Sequence, residues 1–201
     1  MNPSQLPYMV VKTVKATGAP WLETIENVPD EEDLAFGVSR VTGFPENASF
    51  SMSDDYPKDV GLADAFKNVS SLLVVSDRLR QALEAVPDAL FENEVIPIKI
   101  FNHKKRAEKA PYFIIHQVSH PACLDETKSQ GLRMAIDPKH FQFVTAMVLD
   151  EKKIDSKKML FRVEQFPNVP LIRRELAEKL GAGKFTGLEF HEIAGFDFLL
   201  A

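Results

Sequence analysis

A chain of 201 residues with a formal net charge of −5, 45% hydrophobic residues and 26% charged residues has the composition of a folded soluble protein, which excludes wholesale disorder. The acidic balance argues against nucleic acid as the direct partner, because phosphate binding needs clustered Lys and Arg, and it favours a basic partner. No apolar run approaches the roughly 18 residues of a membrane span, so the sequence predicts a protein without membrane association.

Residues 1–70 are predicted to form an irregular N-terminal lobe. Residues 8–14 are rich in β-favouring side chains and predict an opening strand. From residue 21 to residue 66, glycines and prolines interrupt every periodic pattern. We therefore predict irregular structure there, with short helical turns near residues 31–36 and 61–66.

Acidic side chains in this lobe are the candidate binding residues. They form two clusters, which are Asp30, Glu31, Glu32 and Asp33, and Asp54 and Asp55. All six lie where the core pattern is weakest, and loops of that kind can carry recognition. An alternative for the first cluster stays open, because Asp and Glu are also favoured in the first turn of a solvated helix.

Residues 71–201 are predicted to form an ordered core. Leu72, Leu73 and Val74 lead into a helix that Ser76 caps and that ends before Pro87. Strands follow over residues 95–101, 112–118 and 141–149, and the nearly continuous apolar runs of the last two predict central strands covered on both faces. The alternation in residues 160–164 predicts a half-exposed strand.

The core contains one helix–strand unit twice. The first unit runs over residues 74–84, with its helix, into the strand at 95–100, and the second runs over residues 171–180, with its helix, into a strand at 188–193. Leu79 and Leu83 align with Leu176 and Leu180 at an offset of 97 (176 − 79 and 180 − 83). Apolar residues at every fourth position give each helix one buried stripe.

This order of elements predicts an α+β fold. We expect a mixed, mostly antiparallel sheet in a single domain of two lobes over residues 1–201. Two features favour a cytoplasmic location for it. Residues 1–7 lack the basic and apolar regions of a signal peptide. The single Cys123 rules out an intrachain disulfide, as expected in a reducing compartment.

Four ligand-type residues within ten positions suggest a compact zinc site, namely His116, His120, Cys123 and Asp125. However, His116 lies in a predicted strand, where residues four apart are separated by roughly 13 Å. Pro121 could still fold the chain back. We predict structural histidines at a strand end, with no metal and no cofactor.

The sequence predicts no catalytic set. The glycine-rich residues 181–187 follow a helix and have Phe185 where a phosphate loop needs Ser or Thr, so they predict a helix cap and turn. No serine lies in a Gly-x-Ser-x-Gly elbow, and the cysteine has no basic cluster beside it. Ser119 and His120 are adjacent in sequence only, which does not make a catalytic pair.

Several short motifs of the core occur together, in this order, in one known family. They are Val75-Ser76-Asp77-Arg78-Leu79, Pro97-Ile98, Tyr112, Leu124-Asp125 with Ser129, Phe161-Arg162, Leu176, and Gly187-Leu188-Glu189-Phe190. Over roughly residues 70–193 the chain resembles immunity family eleven, formerly a domain of unknown function, which accompanies polymorphic toxins delivered between competing bacteria. It departs at Arg173 and Arg174, where the second helix of the family usually begins with a serine and an acidic residue.

The resemblance implies an immunity protein that binds one cognate toxin domain, encoded by a neighbouring gene, and blocks it without chemistry of its own. The six acidic residues would then be the toxin-binding candidates. Two alternatives stay open. A small cytoplasmic enzyme with an unrecognised site would need a deep polar pocket with perturbed titrating groups. A constitutive assembly subunit would need a large apolar surface patch.

Overall fold

The computed structural model describes residues 6–40, 42–118 and 120–200, with backbone only at Leu200. The strands are β1 (Tyr8–Thr13), β2 (Ser49–Ser51), β3 (Ala65–Phe66), β4 (Leu73–Ser76), β5 (Asn93–Phe101), β6 (Tyr112–Gln117), β7 (Gln130–Arg133), β8 (Phe141–Ala146), β9 (Leu160–Val163), β10 (Phe166–Arg173) and β11 (Leu188–Glu192). The α-helices are α1 (Glu32–Ala35), α2 (Asp77–Glu84) and α3 (Arg174–Ala182), and short 3-10 turns cover Glu151–Lys153 and Phe198–Leu200. Residues 1–5 of the N-terminal segment 1–7, and Ser119 of the pair Ser119 and His120, lie outside the described residues.

Three sheets organise the chain. A four-stranded antiparallel sheet has the order β11-β1-β10-β9, and a five-stranded sheet has the order β2-β5-β6-β4-β3. The pairing of β2 with β5 is parallel, and the other named strand pairs are antiparallel. Strands β7 and β8 form a separate hairpin. The predicted mixed, mostly antiparallel sheet structure is therefore confirmed, whereas the division into two lobes stays a prediction.

Both longer helices pack into one apolar cluster. Leu79 and Leu83 of α2 and Leu176 and Leu180 of α3 are buried in it together. Each helix follows directly on a strand, since β4 runs into α2 and β10 runs into α3. The two following strands lie in different sheets. Whether the two units are structurally equivalent stays a prediction. Within the described residues no helix is long and apolar enough to cross a membrane.

The two helices differ in how their first turns are capped. Ser76 is the N-cap of α2, and its hydroxyl accepts a hydrogen bond from the Leu79 amide at 3.3 Å. Arg173 occupies the same position before α3 and makes no side-chain cap. The exchange of serine for arginine therefore removes the cap, and buried contacts of Leu176 and Leu180 hold the helix instead.

Two predictions for the N-terminal lobe are wrong. Residues 61–66 do not form a helical turn, because Ala65 and Phe66 form β3 and pair with Val75 and Val74 of β4. The Ala65 amide also donates to the Thr186 carbonyl at 2.9 Å, so strand pairing replaces the local turn. In addition, the region predicted to be irregular contains strand β2, which pairs in parallel with β5.

Three predictions for the core need correction. The second helix starts only at Arg174, because residues 171–173 belong to β10 and pair with β1. Strand β8 is not central, since it pairs with β7 alone and its burial alternates. Strand β9 is not half-exposed. All four of its residues are buried, including Arg162 at 3% exposure, because the groups around this side chain accept its hydrogen bonds.

A polar junction joins the two larger sheets. The Asp64 carboxylate accepts hydrogen bonds from the Thr186 amide at 2.9 Å, from Arg78 at 2.9 Å and from the Ser76 hydroxyl at 3.1 Å. Partial burial raises the pKa of Asp64, but these hydrogen bonds outweigh burial and leave the pKa below its usual value. Gly187 has φ +83° and an added Cβ would lie 1.9 Å from the Ala65 carbonyl oxygen, so only glycine fits.

Candidate functional site

The first predicted acidic cluster lies on α1. Glu31 is the N-cap, and Glu32 and Asp33 form the first turn, where carboxylates are favourable. Asp33 pairs with Arg40 at 2.5 Å, and the same guanidinium donates to the Asp30 carbonyl at 3.0 Å. The cluster is therefore partly neutralised at Asp33, while Asp30, Glu31 and Glu32 are exposed.

The second cluster lies elsewhere. Asp54 and Asp55 are exposed after β2, and the Asp54 carboxylate is 3.6 Å from His103 just beyond the end of β5. The first cluster is tied to the other end of the same strand, because the Arg40 amide donates to Glu94 at 2.9 Å. Strand β5 has nine residues, so its ends are roughly 26 Å apart at about 3.3 Å per residue. The structure does not bring the two clusters together.

An exposed apolar groove lies next to α1. It encloses about 520 Å³. Its lining includes Phe36 at the end of α1 and Val69, which we call the α1 wall, and Met134 and Ile136 of the β7–β8 connection, which we call the hairpin wall. Phe36 is 57% exposed, Val69 59% and Ile136 95%. Contiguous exposed apolar side chains of this kind mark protein interaction sites.

The β7–β8 connection has a fixed shape. The Met134 amide donates to the His140 carbonyl at 2.9 Å, and the His140 amide donates to the Asp137 carbonyl at 3.0 Å. The Asp137 carboxylate lies 2.7 Å from the His140 ring, and this hydrogen bond lowers the pKa of Asp137. The His140 ring also meets Phe36 edge-on at 6.4 Å between centroids. These contacts hold Ile136 at the tip of the hairpin.

Arg162 forms the floor of the groove. Its Nε donates to Gln117 Oε1 at 3.0 Å, Nη1 donates to the Pro167 carbonyl at 2.5 Å, and Nη2 donates to the Ser71 carbonyl at 2.6 Å. All three acceptors are neutral, and among the described residues no carboxylate pairs with this guanidinium. Burial lowers the pKa of Arg162 to about 10. One buried side chain thus ties β9 to β6, to β10 and to the loop before β4 that carries Val69.

The four residues considered for zinc have separate structural roles. His116 Nε2 lies 2.9 Å from the Val38 carbonyl, and His120 Nε2 lies 3.1 Å from the Gln117 carbonyl. Cys123 is buried, which raises its pKa to about 12 and keeps it a thiol. Asp125 accepts hydrogen bonds from the turn that follows it. No group of three or more His, Cys, Asp or Glu in the described part of the chain could hold a metal.

The groove was not predicted from the sequence. Its exposed apolar residues come from three separate segments, at Phe36, at Val69, and at Met134 and Ile136. The available signal was the pair Met134 and Ile136, two large apolar residues directly before the turn-forming Asp137 and Pro138. That signal indicates a hairpin only if β7 is recognised as a strand, and its sequence, Gln130–Arg133, has no strand pattern.

Comparison with known proteins gives one family match. The model of the family described as "Immunity protein family (Imm11)" matches residues 10–195. No curated protein matches the chain. The matched range contains the junction at Asp64 and all four apolar residues of the groove walls.

Proposed function

Because the chain belongs to the Imm11 immunity protein family, we propose that it binds a cognate bacterial toxin domain and neutralises it by occluding the toxin's active or substrate-binding surface. The toxin is encoded by a neighbouring gene and serves competition between bacterial cells. The immunity protein acts in the cytoplasm of the cell that makes the toxin. It acts by binding and performs no chemistry itself.

The observation that carries this proposal is the groove between Phe36 and Ile136. Large apolar side chains stand exposed on both of its walls, while hydrogen bonds fix the hairpin and the floor. A rigid, exposed apolar surface suits tight protein binding, because little conformational entropy is lost when a partner covers it. Catalysis would instead need convergent polar groups with matched pKa values.

The acidic residues support the encounter with the toxin. Asp30, Glu31 and Glu32 are exposed beside the groove, and Asp54 and Asp55 are exposed at the other end of β5. Acidic charge attracts a basic toxin surface, such as that of an enzyme with an anionic substrate, and mainly raises the association rate. We propose that Asp30–Asp33 contribute directly, and that Asp54 and Asp55 contribute to the long-range field.

Co-expression with the toxin domain from the neighbouring gene tests the proposal. We expect the wild-type protein to restore growth of cells that express this domain, and the two purified proteins to form a stable complex. An immunity protein from an unrelated pair, produced at the same level, is the control and should not restore growth. Failure of rescue by the wild-type protein would overturn the proposal and favour a small enzyme instead.

A further inference from the structure

We infer that the groove receives one large apolar side chain of the toxin domain, and that a Lys or Arg beside that side chain faces the carboxylates of α1. This inference rests on the proposed function and specifies the chemistry of the partner at that surface. It is carried by the clustering of apolar residues, the size of the groove and the distribution of charge around it.

Exposed apolar residues concentrate at this one place. Ten large apolar side chains are exposed among the described residues, and four of them line this groove. The others include Val60, which does not line the groove. Scattered exposed apolar residues are ordinary, whereas a cluster that shares one concave surface indicates an anchor site for a partner.

The size of the groove limits what can enter. Its volume of about 520 Å³ lies within the range of roughly 300–1,000 Å³ of pockets that hold compact ligands. One large apolar side chain fits within this volume. Ile136 of the hairpin wall and Phe36 of the α1 wall would both be covered by such a side chain.

Charge is unequal on the two walls. Glu32 lies four residues before Phe36, and residues at this spacing share one face of a helix. Glu32 is exposed and makes no ion pair within the described residues. On the hairpin wall, Asp137 is hydrogen-bonded to His140, and Lys139 is exposed beside them. The net acidic charge is therefore on the α1 wall, where a basic residue of the toxin finds its counter-charge.

Binding of the purified, catalytically inactivated toxin domain from the neighbouring gene tests this inference. Ile136→Ala and Phe36→Ala should each raise the Kd by about tenfold to a hundredfold, as expected for anchor residues. Val60→Ala is the matched control, because Val60 is 68% exposed and lies outside the groove. It should leave the Kd unchanged within about twofold.

The charge requirement is tested by association kinetics at two ionic strengths. Glu32→Lys should slow association about tenfold at low salt and flatten its salt dependence, because steering acts mainly on the association rate. Glu178→Lys is the control, since Glu178 is exposed on α3 and lies outside the groove. It carries the same change in net charge, so any effect of net charge alone would appear equally in both variants.

The outcomes separate the inference from the proposed function. If the wild-type protein neither binds the toxin domain nor rescues growth, the proposed function fails. If the wild type binds and the Ile136, Phe36 and Glu32 variants bind equally well, the inference is overturned while the function stands. If sedimentation of the protein alone shows self-association that Ile136→Ala abolishes, a second copy occupies the groove and the inference is likewise overturned.

Discussion

The junction at Asp64 and the groove beside α1 use their side chains in opposite ways. At the junction, Ser76, Arg78 and Thr186 all donate hydrogen bonds to the Asp64 carboxylate and so join two sheets. At the groove, Phe36 and Ile136 point away from the core. The chain therefore uses different residues to hold the fold and to meet a partner.

The family motifs belong to the first group. Ser129 exchanges hydrogen bonds with the Val148 backbone, at 3.1 Å to the carbonyl and 3.0 Å from the amide. The Tyr112 hydroxyl donates to the Ala63 carbonyl at 2.8 Å, and Leu124 is fully buried. Because these residues fix backbone positions, the loops of the groove can differ without loss of the fold.

Truncation of the helix stripes should give the largest loss of stability. We expect Leu79→Ala or Leu176→Ala to lower the free energy of unfolding by about 2–5 kcal/mol, because each side chain is buried in the shared cluster and leaves a cavity. Denaturant unfolding measures this loss. Leu132→Ala, at a residue that is 50% exposed, is the control and should change little. If the helix variants unfold at the same denaturant midpoint as the wild type, the two leucine stripes do not stabilise the fold.

Arg162 connects the scaffold to the groove. Replacement by Met leaves Gln117 Oε1 and the carbonyls of Ser71 and Pro167 without their donor, and we expect a loss of about 2–4 kcal/mol. Arg162→Lys should recover little of this stability, because one ammonium group cannot reach three separate acceptors. Toxin binding should fall more in Arg162→Met than in a Leu79→Ala variant of equal stability. Equal binding by the two would show that Arg162 does not shape the groove.

Acid should lower the stability of the protein through His120, which lies close to the end of α1. Burial lowers the pKa of His120 to about 4, and its ring packs against Gly37, next to Phe36. Below pH 6.5 the unfolded chain binds a proton at His120 that the folded protein does not bind until about pH 4. The free energy of unfolding therefore falls as the pH drops from 6.5 towards 4, and we expect a loss of about 1–2 kcal/mol at pH 5. Burial also lowers the pKa of His116, which adds to the effect.

Urea unfolding at pH 7 and pH 5 measures this dependence. His120→Gln is the informative variant, because it keeps a donor for the Gln117 carbonyl and removes the titrating group. Its stability should change less between the two pH values than that of the wild type. An equal change in both proteins would assign the pH dependence to other groups.

The sequence predicted the elements whose pattern is local. The Ser76 cap, the buried leucines of both helices and the apolar runs of β5 and β6 each depend on neighbouring residues, so they could be read without the fold. Strand β10 was missed because Pro167 and Pro170 interrupt it, and it is held by pairing with β1 and β9. The groove was missed for the same reason, because residues far apart in the chain form it only after folding.

The groove itself should contribute least to stability. We expect Ile136→Ala and Phe36→Ala to change the free energy of unfolding by no more than about 0.5 kcal/mol, because exposed residues lose little burial on truncation. Denaturant unfolding of these variants, beside their measured Kd for the toxin domain, compares the two regions directly. A stability loss above about 1 kcal/mol would place Phe36 or Ile136 in the scaffold. Unchanged stability with weakened binding would locate the partner's anchor at residues that the fold does not need.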